Sequence, residues 1–260
     1  MSWALTQADL VAAACGSLVG LVLALVGGGG SILATPLMLY VVGVPSAHVA
    51  IGTGALAVSA NAFLNLIPHA RAGTVKWPCA ALFAASGIAG AAGGAALGKM
   101  TDAAVLLPLF ALVMMAVAAA MLRPDTGQGD AGIHLTWPMA PRIMAAGALV
   151  GGMSGFFGIG GGFLVVPGLL ASTGMAMLNA IGSSLVSVGA FGATTAASYA
   201  LDGLIDVRLA AGFISGGILG GIAGTAVAAR AARHRGLLQK LFAAVLVLVA
   251  LAMLWREWPW

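Results

Sequence analysis

Apolar residues in this chain come in long runs, separated by short polar breaks, rather than at the spacing of an amphipathic helix or strand. The runs span about 9–26, 32–43, 47–67, 78–97 and 103–122, and after a polar stretch from Arg123 to Pro141 they resume at 142–157, 162–173, 177–199, 208–228 and 237–255. Most are long enough to cross a bilayer as helices, which takes about 20 residues. The runs 32–43 and 162–173 are shorter. About 12 helical residues reach ~18 Å, against a hydrocarbon core of ~30 Å. Each short run follows a glycine cluster, Gly27-Gly28-Gly29-Gly30-Ser31 in one case and Gly158-Ile159-Gly160-Gly161-Gly162 in the other. A proline sits at the same offset in both, at Pro36 and Pro167. The pattern predicts two broken or re-entrant helical hairpins with glycine tips at membrane depth. Irregular backbone is tolerated there only inside protein or along a wet cavity.

The order of runs repeats. Gly43, Gly52 and Gly73 find counterparts in Gly174, Gly182 and Gly203, and Gly87, Gly90 and Gly94 in Gly217, Gly220 and Gly224. Close helix packing explains the last set on its own. The collinear series as a whole marks a transporter built from two structural repeats. The expected architecture is an all-α polytopic membrane protein with a first repeat at 1–122, a loop linker at 123–141 and a second repeat at 142–260. Each repeat is a glycine-broken hairpin followed by three transmembrane helices. If each hairpin returns to its starting side, Arg71, Lys76, Arg123, Arg142, Arg230, Arg233, Arg235 and Lys240 fall on one face. Lys99, Arg208 and Arg256 fall on the other. The alternative threading splits them almost evenly, so the positive-inside rule favours inverted repeats with both termini outside the cytoplasm.

Composition agrees. The chain is 61% hydrophobic and 7% charged, which excludes a soluble domain and makes the lipid bilayer its principal partner. The net charge of +4 comes from loop residues and is no nucleic-acid signal. Cys15 and Cys79 lie in apolar runs and read as buried thiols, with no spacing that suggests a disulfide or a metal. Residues 1–10 contain no Lys or Arg, so the first run reads as mature protein rather than a cleaved signal. No paired acids, metal spacing or nucleophile–base pattern points to an enzyme, and no cofactor is implied. The cluster at 158–162 lacks the soluble strand–turn–helix context of a dinucleotide site.

Candidate chemistry concentrates at the breaks. A helix starting after a glycine break offers free N–H groups and the positive end of its dipole, which is an anion site. Two such starts are expected, after Gly30 and after Gly161, and inverted repeats would aim both at one point. Ser31 serves either as a ligand donor or as a helix cap. Thr53, Asn61 and Asn65 share roughly one helix face, while Ser184, Ser187, Thr194, Thr195 and Ser198 form a comparable stripe in the matching run. Interhelical bonding accounts for such hydroxyls too, but an amide in hydrocarbon is costly unless paired. The acidic residues Asp9, Asp102, Asp125, Asp130, Asp202, Asp206 and Glu257 all fall at run ends or in loops. A cation path normally needs a carboxylate within the membrane, so hydroxyls, amides and backbone N–H groups suit an anion better. His48 and His69 flank one long run, where structural roles suffice.

Gly-Ile-Gly-Gly-Gly-Phe-Leu-Val-Val-Pro at 158–167, its echo at 27–36, and the segments Gly52-Thr53 and Gly182-Ser183-Ser184 resemble the sulfite exporter TauE/SafE family. The resemblance covers nearly the whole chain. It implies a multi-pass permease of the bacterial inner membrane, linked to export of sulfite and organosulfonates such as sulfoacetate. The first motif departs from the second, with Gly28 at the place of Ile159 and Ser31 at that of Gly162, so unequal contributions of the halves are expected. The combined expectation is a secondary transporter of a small sulfur-containing anion working by alternating access. The substrate would lie between Gly27, Gly28, Gly29, Gly30 and Ser31 and Gly158, Gly160, Gly161 and Gly162. Thr53, Asn61, Asn65, Ser184, Ser187 and Thr194 would complete the lining. An anion channel and a permease for another small solute or metal ion remain alternatives, and a homo-oligomer is compatible with the pattern.

Overall fold

The computed structural model describes residues 7–121, 129–130, 132–158, 162–231, 243–244 and 247–255. Their secondary structure is helical throughout the apolar runs. In hydrocarbon every backbone group must be satisfied within its own segment, and a helix achieves this. Helix α1 is Gln7–Val26. The composite arm α2 winds as a 3-10 helix over Gly27–Leu33, one α-turn over Ala34–Pro36 and a π-helix over Leu37–Val42. Then come α3 (Ala47–Arg71), α4 (Trp77–Met100), α5 (Ala103–Met121), α6 (Ala140–Phe157), α7 (Gly162–Thr173), α8 (Met177–Leu201) and α9 (Val207–Ala231). Residues 247–255 are helical as well. Among the described residues six helices are long and apolar enough to cross a membrane, and Gly30–Val42 and Leu164–Thr173 are shorter apolar helices. The protein is therefore an all-α polytopic membrane protein. Cys15 and Cys79 are buried free thiols.

Helix directions follow from residue contacts. A Cβ at Gly216, Gly220 or Gly224 of α9 would strike the Ala13, Ser17 or Leu21 carbonyl of α1, so both numbers rise together and the two helices run parallel. Helices α4 and α6 repeat this, with Gly90, Gly94 and Gly98 against Ala148, Gly152 and Phe156. In contrast α3 and α8 are antiparallel: Gly52 meets Leu204, Ser59 donates to the Gly189 carbonyl, and Gly182 meets Thr74. Such close backbone approach needs the missing Cβ and exchanges side-chain packing for direct contact between helices.

The same contacts recur between the first and second halves with their roles exchanged. The Asp206 N–H donates to Thr53 Oγ1 at 2.9 Å, and the Lys76 N–H donates to Ser183 Oγ at 2.9 Å. Each bond ties the start of one long central helix (α3) or the other (α8) to the turn after its partner. Those turns pivot on Gly203 and Gly73, with φ of 70° and 68°. Gly43 and Gly174, at φ 83° and 71°, end the two short arms in the same way. Only glycine adopts this left-handed conformation cheaply.

Two outcomes test the packing. Thr53→Val and Ser183→Ala are each expected to cost about 1 kcal/mol of unfolding free energy. Their effects should add, because the two bonds lie at opposite ends of α3 and α8 and share no partner. Gly20→Val and Gly151→Val place a Cβ into the backbone carbonyls of Gly217 and Gly87, an overpacking worth about 1–3 kcal/mol. Gly93→Ala meets nothing within 4 Å and should leave the melting temperature in detergent unchanged or raised.

Candidate functional site

Both glycine clusters reverse the chain, by different means. At the first, α1 passes straight into the 3-10 turns of Gly27–Leu33. Gly30 folds back against α1: a Cβ there would lie 2.6 Å from the Leu23 nitrogen and 2.9 Å from the Val19 oxygen. The sequence led us to expect an open break with a helix starting afresh after Gly30, but the glycines themselves are wound. The tight 3-10 turns give way, after Pro36 removes an N–H, to the wider π-turns. At the second cluster α6 stops on Gly158, whose φ is 66° and whose N–H bonds the Ser154 and Gly155 carbonyls. Such a left-handed cap is glycine's usual role at a helix end. Ile51 of α3 fills the space a Cβ would need there. Gly160 and Gly161 lie outside the described residues. Gly162 opens α7, which stays α-helical through Pro167 to Thr173.

The two tips meet. Gly162, the first residue of α7, donates its N–H to Ser31 Oγ at 3.2 Å, and Ser31 is fully buried. The Gly27–Leu33 segment packs against α7 and α8 as well as α1. One hairpin thus caps the other's helix N-terminus. Thr35, one turn beyond Ser31, is 1% exposed and its hydroxyl has no hydrogen-bond partner among the described residues. Ser154, one turn before Gly158, is in the same condition, and so is Ser187 on α8. The sequence had singled out Ser187. It gave no signal for Thr35 and Ser154, each a lone hydroxyl in an apolar run.

The polar face expected on α3 exists, and it turns toward α9. Thr53 is committed to Asp206 at the helix start, away from the tips. Asn61 packs its amide against Gly217, and Asn65 lies against Gly221 while its Nδ2 donates to the Asn61 carbonyl at 2.9 Å. Asn61 is fully buried, and both atoms of its amide lack a protein partner among the described residues. The matching place on α8 is held by Phe191, which fills the notch at Gly87 and stacks on Phe83 at 6.3 Å. Of the α8 stripe, Ser184 donates to the Ile181 carbonyl and Thr194 to the Ala190 carbonyl. A groove of about 550 Å³ between α3 and α8 is walled by Leu56, Ala60, Ala193, Ala197, Gly203 and Val207. No residue of either tip lines it.

One end of the bundle carries charge that the sequence did not pair. Asp9, expected merely at a run end, is 5% exposed in the first turn of α1 and accepts hydrogen bonds from the Arg208 guanidinium of α9 at 2.6 Å, 3.0 Å and 3.1 Å. Lys99 of α4 pairs with Asp202, bonds the Ser198 carbonyl and sits 5.9 Å from the Tyr199 ring centroid. His48 stacks on Tyr199 at 6.4 Å.

A model of the family described as "Sulfite exporter TauE/SafE" matches residues 12–253. A probable membrane transporter protein of Xylella fastidiosa strain 9a5c is 49% identical over 253 residues, 97% of this chain and 97% of its own. The probable membrane transporter protein YunE of Bacillus subtilis strain 168 is 25% identical over 239 residues, 84% of this chain and 85% of its own. The probable membrane transporter protein MJ0441 of Methanocaldococcus jannaschii is 27% identical over 157 residues, 58% of each. No solved structure matches the chain. A family of membrane transporters, not of enzymes, accounts for both the helical bundle and the doubled hairpin, and this chain belongs to the sulfite exporter TauE/SafE family.

Proposed function

We propose that this protein is a secondary transporter that exports a small sulfur-containing oxyanion, sulfite or an organosulfonate, across a bacterial inner membrane. The family's description as a sulfite exporter supports a sulfur oxyanion as substrate and export as the direction. One observation carries the site: the hydrogen bond from Gly162 N–H to Ser31 Oγ. An acceptor oxygen from one hairpin already sits on the N-terminus of the helix that follows the other break. A substrate oxygen arriving there would meet the same N–H, the positive end of the α7 dipole and the Ser31 hydroxyl. The glycines of both tips, Ser31 and Ser187 form the lining in this reading, and Asn61 and Asn65 extend it toward α9. Thr53, Ser184 and Thr194, whose hydroxyls are engaged by backbone, serve the helices instead.

Residues 1–122 and 142–260 are read as inverted repeats joined by 123–141. The antiparallel packing of the equivalent helices α3 and α8 supports this. An axis in the membrane plane reverses equivalent helices, whereas one along the normal leaves them parallel. Alternating access then follows from one set of elements rocking against the other around the tips.

Purified protein in liposomes is expected to move sulfite with saturation and competition by sulfonates, with chloride and a cation inert. Linear, non-saturating conductance would instead identify a channel. Ser31→Ala is expected to raise the KM for the anion roughly ten-fold, the equivalent of about 1.4 kcal/mol for one lost hydrogen bond to a charged group. An unchanged KM in a correctly folded Ser31→Ala protein removes Ser31 from the site. Gly30→Ala, which drives a Cβ into the α1 backbone, should abolish flux while the protein still reaches the membrane, scored by initial uptake against membrane abundance.

A further inference from the structure

We propose that the groove between α3 and α8 is a lipid site, which takes one acyl chain of a membrane phospholipid from the leaflet on the Asp9–Arg208 side.

The groove lies on the back of the layer that carries the hairpins. On α3, a Cβ at Gly54 would touch Ala34 and Thr35 of the short arm, and Ile51 packs against Gly158. Leu56 and Ala60, which wall the groove, stand about 200° and 240° around the helix from Gly54, at 3.6 residues per turn. On α8, Phe191 turns to Gly87 of α4, and Ala193 and Ala197 stand about 200° and 240° around from it. The walls therefore face away from the tips and from α4. Ala193, Ala197, Ala200, Gly203 and Val207 are exposed. What lies against such an apolar surface of a membrane protein is lipid or another protein.

The length of the groove decides between them. Ser59 Oγ donates to the Gly189 carbonyl at 2.7 Å, and these are the central residues of α3 and α8. From there the groove runs one way only, past Ala193, Ala197 and Ala200 to Gly203 and Val207, beside the Arg208 that meets Asp9. The rise from Ala193 to Gly203 is about 15 Å, half of a hydrocarbon core of ~30 Å. Beyond the centre, the same face of α3 carries Phe63 and Ile67, 44% and 46% exposed. The Phe63 ring rests on Gly189, where a Cβ would lie 2.7 Å from it. The register that matches Gly52 with Gly182 and Gly73 with Gly203 puts Phe63 at the place of Ala193, and Ile67 at that of Ala197. One half fills its groove with its own side chains, and the other leaves it open.

A transmembrane helix of a second copy would need the full depth, about 20 residues, and would meet Phe63 halfway. An acyl chain needs one leaflet and ends where the groove ends. The volume of about 550 Å³ falls among clefts that hold small ligands, about 300–1,000 Å³. Within hydrocarbon the drive is packing rather than exclusion of water. A chain between the two helices touches protein on both sides, and an empty groove forfeits those contacts.

The test uses the purified full-length protein in vesicles that carry a trace of phosphatidylethanolamine with a photoreactive group on one acyl chain. One probe has the group at the chain end and another has it midway. Crosslinked residues are identified by mass spectrometry. The chain-end probe is expected to label Ala193 and its neighbours, and the midway probe Ala200, both in excess over Phe63 and Ile67. Ala193→Phe and Ala197→Ile, which copy the filled half, are each expected to lower this labelling about ten-fold. Both positions are exposed, so the variants should keep the wild-type melting temperature. Labelling spread evenly over the exposed helix faces overturns the inference, as does labelling that neither variant lowers. A dimer in the same vesicles that Ala193→Phe dissociates, counted by single-molecule photobleaching, overturns it too and gives the groove to a second copy.

Discussion

Backbone hydrogen bonding without water is the constraint on which this molecule depends. In hydrocarbon each unpaired N–H or C=O costs several kcal/mol, so the chain stays helical until another part of itself can take over the pairing. At the first glycine cluster the chain takes up its own slack by winding Gly27–Leu33 as 3-10 helix. At the second, Gly158 closes α6 on its own carbonyls, and the first described N–H of α7 goes across to Ser31 of the other hairpin. Neither break is stable alone, because each is completed by the protein around it. The glycine-lined pairs α1–α9 and α4–α6 serve the same end. Backbones in direct contact leave no gap for lipid and hold the elements that hold the tips.

Much of the fold was legible because lipid imposes a length rather than a subtle pattern. The run at 47–67 became Ala47–Arg71, and the run at 208–228 became Val207–Ala231. The first of these ends on Arg71, just before the left-handed turn at Gly73. The short runs were recognised as arms of hairpins from the arithmetic of rise per residue. Their winding was not legible. Nothing in the letters Gly27–Ser31 distinguishes a loop from 3-10 turns, because glycine is permissive of both and the choice is made by contact with Val19 and Leu23.

The proposed site is marked in the sequence as a place and not as a set of contacts. Doubling of the glycine–proline figure marked the tips, and Ser31 stood out because its counterpart is Gly162. That these two residues bond to each other is a property of the fold, not of either local sequence. Spacing placed Thr53, Asn61 and Asn65 on one face correctly. It could not tell that the face addresses α9, where Asp206 claims Thr53 and glycines accommodate the amides. Asp9 was read only as a run end for a similar reason. Its partner Arg208 is far along the chain, and only the parallel packing of α1 with α9 brings the carboxylate and guanidinium together.

Backbones that match and side chains that do not give the two halves different work. Asn61 occupies the notch at Gly217, while Phe191 occupies the corresponding notch at Gly87 and closes it with an aromatic stack. An orphaned amide invites a polar occupant, and a stacked ring refuses one. The ion pairs Asp9–Arg208 and Lys99–Asp202 gather at one end of the bundle. At the corresponding positions of the other half stand Ala140, Pro78, Ala229 and Ala72, which can make no such pair. If the halves exchange roles during transport, their matched backbones make the two access states similar in energy, and these unmatched side chains set the remaining difference. Such a difference biases which mouth rests closed. It does not set the direction of net flux, which the substrate gradient and any coupled ion decide.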